Sequence, residues 1–252
     1  MRQRLLTLTS WREAATWWST GRWRVQMLVW TALLAALLSA MLWLFPALMS
    51  GVGEAALGGV YDTAVQFPDL AAAVMGAGVV LLSQGLVIDE RQNGVLEWLL
   101  SKPLARPVLV MAKFTGQSAG LLVSVVAVPW AAVYVVLSVA DGHPWAIGNA
   151  LGAGAILALV VLFHLALVLA LSACTSSRVI VLPVPLAAIV GSNAVVGMAA
   201  DAFYVLPWSL GPVASVMMAD GVLLSIWPIV SAVGWTVLAL VIASVRLQRA
   251  EF

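Results

Sequence analysis

The sequence predicts an all-α membrane protein with six transmembrane helices. Three observations lead to this fold class: the composition, six apolar segments of spanning length, and the distribution of charge between them. Of the 252 residues, 63% are hydrophobic and 9% are charged, whereas soluble domains carry roughly 25% charged and 45–50% apolar residues. Because this little polar surface cannot coat a globule of such size, lipid must form part of the solvent. We expect residues 1–252 to form a single membrane domain.

The apolar segments give the number of spans. A bilayer core requires about 20 apolar residues per helix. Six segments meet this requirement, approximately Val25–Met49, Leu70–Val87, Val108–Val139, Ala150–Cys174, Val179–Ala199 and Val222–Val245. The first exceeds the h-region of a signal peptide, so we expect it to be retained as a span. Pro129, Pro183 and Pro185 are expected to kink the third and fifth spans.

The charges predict the orientation. All 12 Lys and Arg residues lie in the N-terminal segment, in residues 89–113, in the Ser176–Arg178 turn or in the C-terminal tail. The other connections carry acidic residues and no Lys or Arg. By the positive-inside rule, both termini are predicted to be cytoplasmic in a multi-pass protein of the cell (plasma) membrane.

Two segments outside the spans have their own character. Residues 10–24 interleave Trp and Arg, a mixture typical of a helix in the headgroup layer. We predict an interfacial elbow helix here, which either contributes to a partner's docking surface or simply anchors the chain. Residues 200–221 are apolar but interrupted by Pro207 and Pro212, which predicts short re-entrant helices before the last span, covered by protein.

Residues 89–113 form a long charged segment between two hydrophobic ones. On a helical wheel, one side carries Glu90, Gly94, Glu97 and Ser101, and the other carries Val95, Leu96, Trp98, Leu99 and Leu100. The segment is therefore amphipathic at helical period. Pro103 is expected to end this helix, because its ring removes a backbone donor and disfavours helix at Lys102.

This segment resembles the loop after the second span of type 2 ABC exporter permeases. The matching residues are Glu90, Arg91, Gly94, Leu96, Glu97, Leu99, Leu100, Pro103, Arg106 and Lys113. The resemblance implies that residues 89–107 form a cytoplasmic coupling helix, which sits in a groove of a separate ATPase subunit. Trp98 departs from the pattern, because an aliphatic or smaller aromatic residue is expected there.

The resemblance also implies roles for single residues and a set of partners. Val95, Trp98 and Leu99 would fill the groove of the ATPase. Glu90, Arg91 and Glu97 would orient the helix through charged pairs, and Gly94 and Pro103 would set its ends. The complex would contain two ATPase subunits and a second permease, identical or related. The alternative is an amphipathic helix tethered to lipid headgroups, although such helices usually have a basic polar face.

The sequence offers little chemistry of its own. A Walker A loop requires Lys after Gly, and neither Lys102 nor Lys113 follows one. ATP and magnesium are therefore expected in the partner ATPase, with no cofactor in this chain and no enzymatic activity. His143, His164 and Cys174 do not have metal-ligand spacing. Met198, Met217 and Met218 could handle a soft metal, but packing is favoured. No basic cluster interleaved with aromatic residues indicates a nucleic-acid partner.

Four polar residues fall inside the predicted spans: Gln84, Gln117, His164 and Asn193. They could line a substrate path, because polar groups are costly in hydrocarbon. Hydrogen bonding between helices is the favoured alternative for each. No Asp or Glu lies near the centre of a predicted span, which disfavours a proton-coupled carrier.

These features together predict the membrane subunit of an ABC exporter. The substrate would be hydrophobic or amphipathic, such as a drug, an antibiotic or a lipid, because the spans offer few charges. The alternative is a non-transporting scaffold or sensor that docks a cytoplasmic partner through the same loop.

Overall fold

The computed structural model describes residues 17–49, 59–93, 106–175, 177–198 and 205–249, together with Ala15. Within these residues the structure is helical, without strands. The α-helices are α1 (Arg22–Ser39), α2 (Phe45–Met49), α3 (Val60–Ser83), α4 (Gly85–Gln92), α5 (Arg106–Leu121), α6 (Val128–Asp141), α7 (Ile147–Cys174), α8 (Arg178–Val181), α9 (Pro183–Met198), α10 (Leu210–Asp220) and α11 (Trp227–Arg249). The π-helical turns Ala40–Leu44 and Leu122–Ala127 precede α2 and α6, and a 3₁₀ turn, Pro207–Ser209, precedes α10.

Five helical stretches in the described residues are long and apolar enough to cross a bilayer. They are Trp23–Leu48, Val60–Gln92, Pro107–Asp141, Ile147–Cys174 and Trp227–Gln248. These stretches correspond to the first, second, third, fourth and sixth predicted spans. The predicted fifth span, Val179–Ala199, instead contains the short α8 and the 16-residue α9. Leu182 keeps helical backbone, and the helical hydrogen bonding is interrupted there because Pro183 has no backbone N–H to donate.

The centre of the bundle is α7. It is apolar all round, as expected of a helix enclosed by others, and it packs against α3, α10 and α11. In the most apolar 18-residue segment of α7, 61% of the residues are buried, whereas only 22% are buried in the corresponding segment of α11. The outer helices α1, α9 and α11 expose large apolar side chains, among them Leu28, Val190 and Val230. Such faces suit contact with lipid or with another protein.

The start of the second span differs from the sequence prediction. We predicted a loop up to Asp69 and a span from Leu70, whereas α3 begins at Val60 and includes both Pro68 and Asp69. The loop prediction is therefore wrong for residues 60–69. This extra part of the helix is held by burial, since Ala64 and Phe67 are fully enclosed in the core. Asp62 lies in the first turn, where a carboxylate favours the helix N-terminus.

The segment before the last span contains short helices, as predicted. Of residues 200–221, those from 205 onward are described, and α10 packs into the interior against α3 and α7. Leu210, Val213 and Met218 are fully buried. Gly221, at φ 67°, ends α10 in the left-handed conformation that favours glycine. The next helix begins at Trp227, five residues after the predicted Val222.

Two predicted elements are only partly covered. Of residues 10–24, the structure describes Ala15 and residues 17–24, with a turn at Gly21 (φ 65°) immediately before α1. Residues 94–105 of the predicted coupling helix lie outside the described residues. The elbow helix and the coupling helix therefore stay predictions.

Candidate functional site

Three polar contacts join the end of α4 to neighbouring helices. Lys113 on α5 donates its Nζ to Glu90 Oε1 at 2.5 Å. Arg178 on α8 donates to the carboxylate of Asp89. Arg91 donates to the backbone carbonyl of Ala173 on α7 at 3.5 Å. We call these residues, Asp89, Glu90 and Arg91 with their partners Lys113, Ala173 and Arg178, the loop root. The chain leaves the loop root at Asn93 and re-enters the described structure at Arg106.

The two ion pairs of the loop root lie in different environments. The Lys113 side chain is 3% exposed and that of Glu90 is 24% exposed, whereas Asp89 and Arg178 are each 50% exposed. Breaking a buried pair leaves a charge without compensation and is costly. An exposed pair contributes much less. The Glu90–Lys113 pair is therefore the contact expected to fix α4 against α5.

The structure places the predicted coupling residues only in part. Glu90 and Arg91 lie in the loop root and contact residues of this chain. Arg106 begins α5, but its side chain is not described. The remaining predicted residues lie outside the described residues: Gly94, Val95, Glu97, Trp98, Leu99 and Pro103. Their coupling roles stay predictions.

The opposite end of the bundle is held by different contacts. Tyr61 on α3 donates its hydroxyl to Asp220 Oδ1 at 3.4 Å, and its ring stacks on Trp145 with centroids 6.1 Å apart. Asn149 on α7 donates its side-chain amide to Met218 O at 3.3 Å. The starts of α3 and α7 therefore meet the end of α10. We call this the far face, because it lies at the other end of α3–α4 and α7 from the loop root.

Between the two faces lies a cavity of about 590 Å³, bordered by α3, α7, α9 and α10. Much of its wall is apolar, with Met41, Leu70, Val160, Ile189 and Val216 among its members. The polar groups or titratable side chains of the wall are Gln66, Asp69, His164, Trp208 and Ser215.

His164 is fixed deep in this wall. Its side chain is buried, and its Nδ1 is 2.8 Å from Val160 O. Because a carbonyl oxygen only accepts, Nδ1 must carry the hydrogen, and in the neutral ring Nε2 is then an acceptor. A Cβ on Gly76 would lie 2.9 Å from the imidazole Cε1. Glycine at position 76 is what allows α3 to approach the ring this closely.

The four residues predicted to line a substrate path do not share one site in the structure. Only His164 is among the described residues that line the cavity. Gln84 lies at the junction of α3 and α4 and donates its amide to Leu81 O at 3.1 Å. Gln117 is buried on α5, and the side chain of Asn193 is not described. Their path role stays a prediction.

Sequence reasoning missed Asp69 and Gln66, because both had been assigned to an outside loop. The second span was predicted to begin only at Leu70, and the burial of Phe67 shows that residues 60–69 belong to the bundle. Sequence reasoning also did not identify the loop-root partners of Lys113 and Arg178, because no local spacing marks these pairs. In the described parts of the chain, no group of three or more His, Cys, Asp or Glu residues could hold a metal ion.

Comparison with protein families decides the class of the chain. The profile of the family described as "ABC-2 family transporter protein" matches residues 25–252. The chain belongs to this ABC-2 family. The resemblance predicted from residues 90–113 is therefore confirmed over nearly the whole sequence. A comparison with curated proteins gives no match.

Family membership and the helices together establish a multi-pass membrane protein. An ABC-2 permease is a transport subunit that is not itself catalytic, and the family generally works with ABC ATPase subunits. The loop root and the cavity are thus two features of a transport subunit, one at an end of the bundle and one inside it.

Proposed function

We propose that this ABC-2 permease is the membrane subunit of an ATP-driven exporter, coupled to a separate ATPase through residues 89–107. The loop root is the observation that carries this proposal. A loop can pass force to membrane helices only if its ends are fixed to them. Here Glu90–Lys113 joins the helix that enters the loop to the helix that leaves it, and Asp89–Arg178 extends the attachment to α8.

The contacts also support six crossings with both termini cytoplasmic. Arg178 lies at the loop root, whereas Asp220 lies at the far face beside Tyr61. The chain therefore passes from one face to the other between these residues, through α8, α9 and α10. The last helix, α11, brings Leu247 back to the surroundings of Lys113. Four basic residues, Arg91, Lys113, Arg178 and Arg246, lie on the loop-root side, which supports a cytoplasmic location for it.

The proposed complex contains two ATPase subunits and two permeases, identical or related. The exposed apolar faces of α1, α9 and α11 offer contact area for lipid and for a second permease. The mostly apolar wall of the cavity supports a hydrophobic or amphipathic substrate.

Two substitutions in the loop test the coupling. Glu97→Arg reverses a charge on the polar side of the predicted coupling helix, and Leu99→Asp places a charge on its apolar side. We expect both to reduce co-purification of the co-expressed ATPase and its stimulated ATP hydrolysis. Glu54→Arg, the same charge reversal in a predicted outer connection, is the matched control and should change neither.

Undiminished association and hydrolysis in both loop variants would contradict the coupling role. The other candidate function, a scaffold or sensor, has its own signature. It would hold a cytoplasmic partner through the same loop, but it would neither stimulate ATP hydrolysis by an ATPase nor move a substrate.

A further inference from the structure

We infer that the cavity between α3, α7, α9 and α10 binds a protonated amine attached to an apolar body, with Asp69 as its counter-ion. This inference rests on the proposed function, because it gives the substrate class of the proposed exporter. It follows from the position of one carboxylate, from the polar side chains that line the same cavity, and from the size and wall of that cavity.

Asp69 is an unusual group for this location. It lies nine residues after Val60, about 14 Å along the helix, and its side chain is partly buried. Its carboxylate takes part in none of the side-chain hydrogen bonds or ion pairs found among the described residues. A charged group inside a membrane bundle is normally paired or serves a function. Asp69 is therefore available to pair with a ligand.

The neighbouring helix is built around this carboxylate. A Cβ on Gly211 would lie 2.1 Å from Asp69 Oδ1 and 3.2 Å from Asp69 Cα. Glycine at position 211 therefore lets the first turn of α10 reach the acid.

Three other side chains of the cavity wall have a polar atom without a hydrogen-bond partner in the described structure. Within the described structure, His164 Nε2, Trp208 Nε1 and Ser215 Oγ are buried and have no hydrogen-bond partner. Left unsatisfied, such atoms each cost about 1–3 kcal/mol, and their side chains add polar groups to a wall that is otherwise largely apolar. With Nδ1 donating to Val160 O, His164 Nε2 is an acceptor, and it is packed against α3 at Gly76.

The charge balance selects a cation over other ligands. No Lys or Arg occurs among the described residues that line the cavity, so an anion would meet Asp69 without compensation. A neutral ligand would leave the carboxylate unpaired. The Trp208 indole supplies an aromatic face that also attracts cations. At about 590 Å³, the cavity has the size of sites for drug-sized molecules.

Binding can be measured on the permease alone. We would reconstitute the full chain in phosphatidylcholine nanodiscs, without ATPase or nucleotide, and follow the fluorescence anisotropy of rhodamine 6G, a lipophilic cation with N–H donors. An uncharged BODIPY dye and the anion fluorescein serve as charge comparisons, and empty nanodiscs give the lipid background. Saturable binding of rhodamine 6G, tighter than that of fluorescein, is the expected result.

The decisive variant is Asp69→Asn, which removes the charge at constant shape. We expect the Kd of rhodamine 6G to rise about tenfold or more, the size of a lost hydrogen bond to a charged group, while binding of the uncharged dye stays unchanged. The matched control is Asp62→Asn, on the same helix but exposed and outside the cavity wall, which should change Kd less than about twofold. A second variant, Ala73→Trp, fills the cavity and should weaken the binding of both the cationic and the uncharged dye.

Equal affinity of the wild type and Asp69→Asn for rhodamine 6G would overturn the inference. Equal weakening by Asp62→Asn and Asp69→Asn would also overturn it, since surface charge would then explain the binding. Unchanged binding of the uncharged dye to Asp69→Asn shows that this variant is folded. Because no ATPase is present, these outcomes do not depend on Glu97→Arg or Leu99→Asp, so failure of the inference and failure of the coupling proposal can be told apart.

Discussion

The Glu90–Lys113 pair provides the sharpest test of the loop root. Glu90→Gln keeps the shape of the side chain and removes the carboxylate that lies 2.5 Å from Lys113 Nζ. Since the Lys113 side chain is only 3% exposed, water cannot replace the lost partner without opening the contact between α4 and α5. Breaking such a buried pair costs about 3 kcal/mol.

This energy gives a measurable change in thermal stability. For a chain of this size, each kcal/mol lowers the melting temperature by roughly 2–4 °C. Glu90→Gln is therefore expected to lower the apparent Tm by about 6–12 °C. The measurement is intrinsic tryptophan fluorescence during heating in one detergent, which the 12 Trp residues of the chain make sensitive.

The loop root contains its own control. Asp89→Asn removes the adjacent ion pair with Arg178, in which both side chains are half exposed, and exposed pairs contribute at most about 1 kcal/mol. Its Tm shift should stay below about 4 °C. Combining Glu90→Gln with Lys113→Met removes the buried ammonium as well and should recover part of the loss. If Glu90→Gln shifts Tm no further than Asp89→Asn, then the buried pair does not fix the loop root.

Two further predictions concern the bundle and its orientation. Trp130→Phe removes the buried hydrogen bond that Nε1 donates to Ala150 O at 2.8 Å and should lower the free energy of unfolding by about 1 kcal/mol. The control is Trp145→Phe, because Trp145 Nε1 has no partner in the described structure, and it should lower the free energy less. Equal Tm shifts of the two variants would refute the role of the hydrogen bond. Cys174 is the single cysteine and is exposed at the loop-root end of α7, so a membrane-impermeant maleimide should label it from the cytoplasmic side only. A chain with Cys174→Ala and His143→Cys should be labelled from the opposite side, and a reversed pattern would contradict the proposed topology.

Much of the fold could be predicted from the periodicity of the sequence and the length of its apolar segments. The fourth span, predicted as Ala150–Cys174, is α7 from Ile147 to Cys174. A long, uniformly apolar segment leaves few alternatives once its backbone must be hydrogen-bonded internally. The helix interruption before Pro183 and the π-helical turn before Pro129 likewise follow the expected effect of proline.

The candidate sites required tertiary information. Hydropathy treats an acidic residue as the boundary of a span, so Asp69 was placed in a loop. What holds it in the helix is packing: Phe67 is buried on one side, and Gly211 of α10 comes close on another. The loop-root pairs join residues 23 and 89 positions apart. No local pattern marks such distant partners.

The two sites are connected by one stretch of helix. Asp69 and Asp89 both lie on the run formed by α3 and α4, and the 20 residues between them correspond to about 30 Å. The junction is the single turn at Gln84, whose side chain donates to Leu81 O and so stays within its own helix. Displacement of the loop root would therefore act along α3 on the wall that carries Asp69. The facing wall carries His164 on α7, the most buried of the five candidate membrane spans. In the proposed exporter, the distance between these two walls therefore links the loop and the cavity: moving the loop root would change this distance, and a ligand between the walls would act back on the loop root.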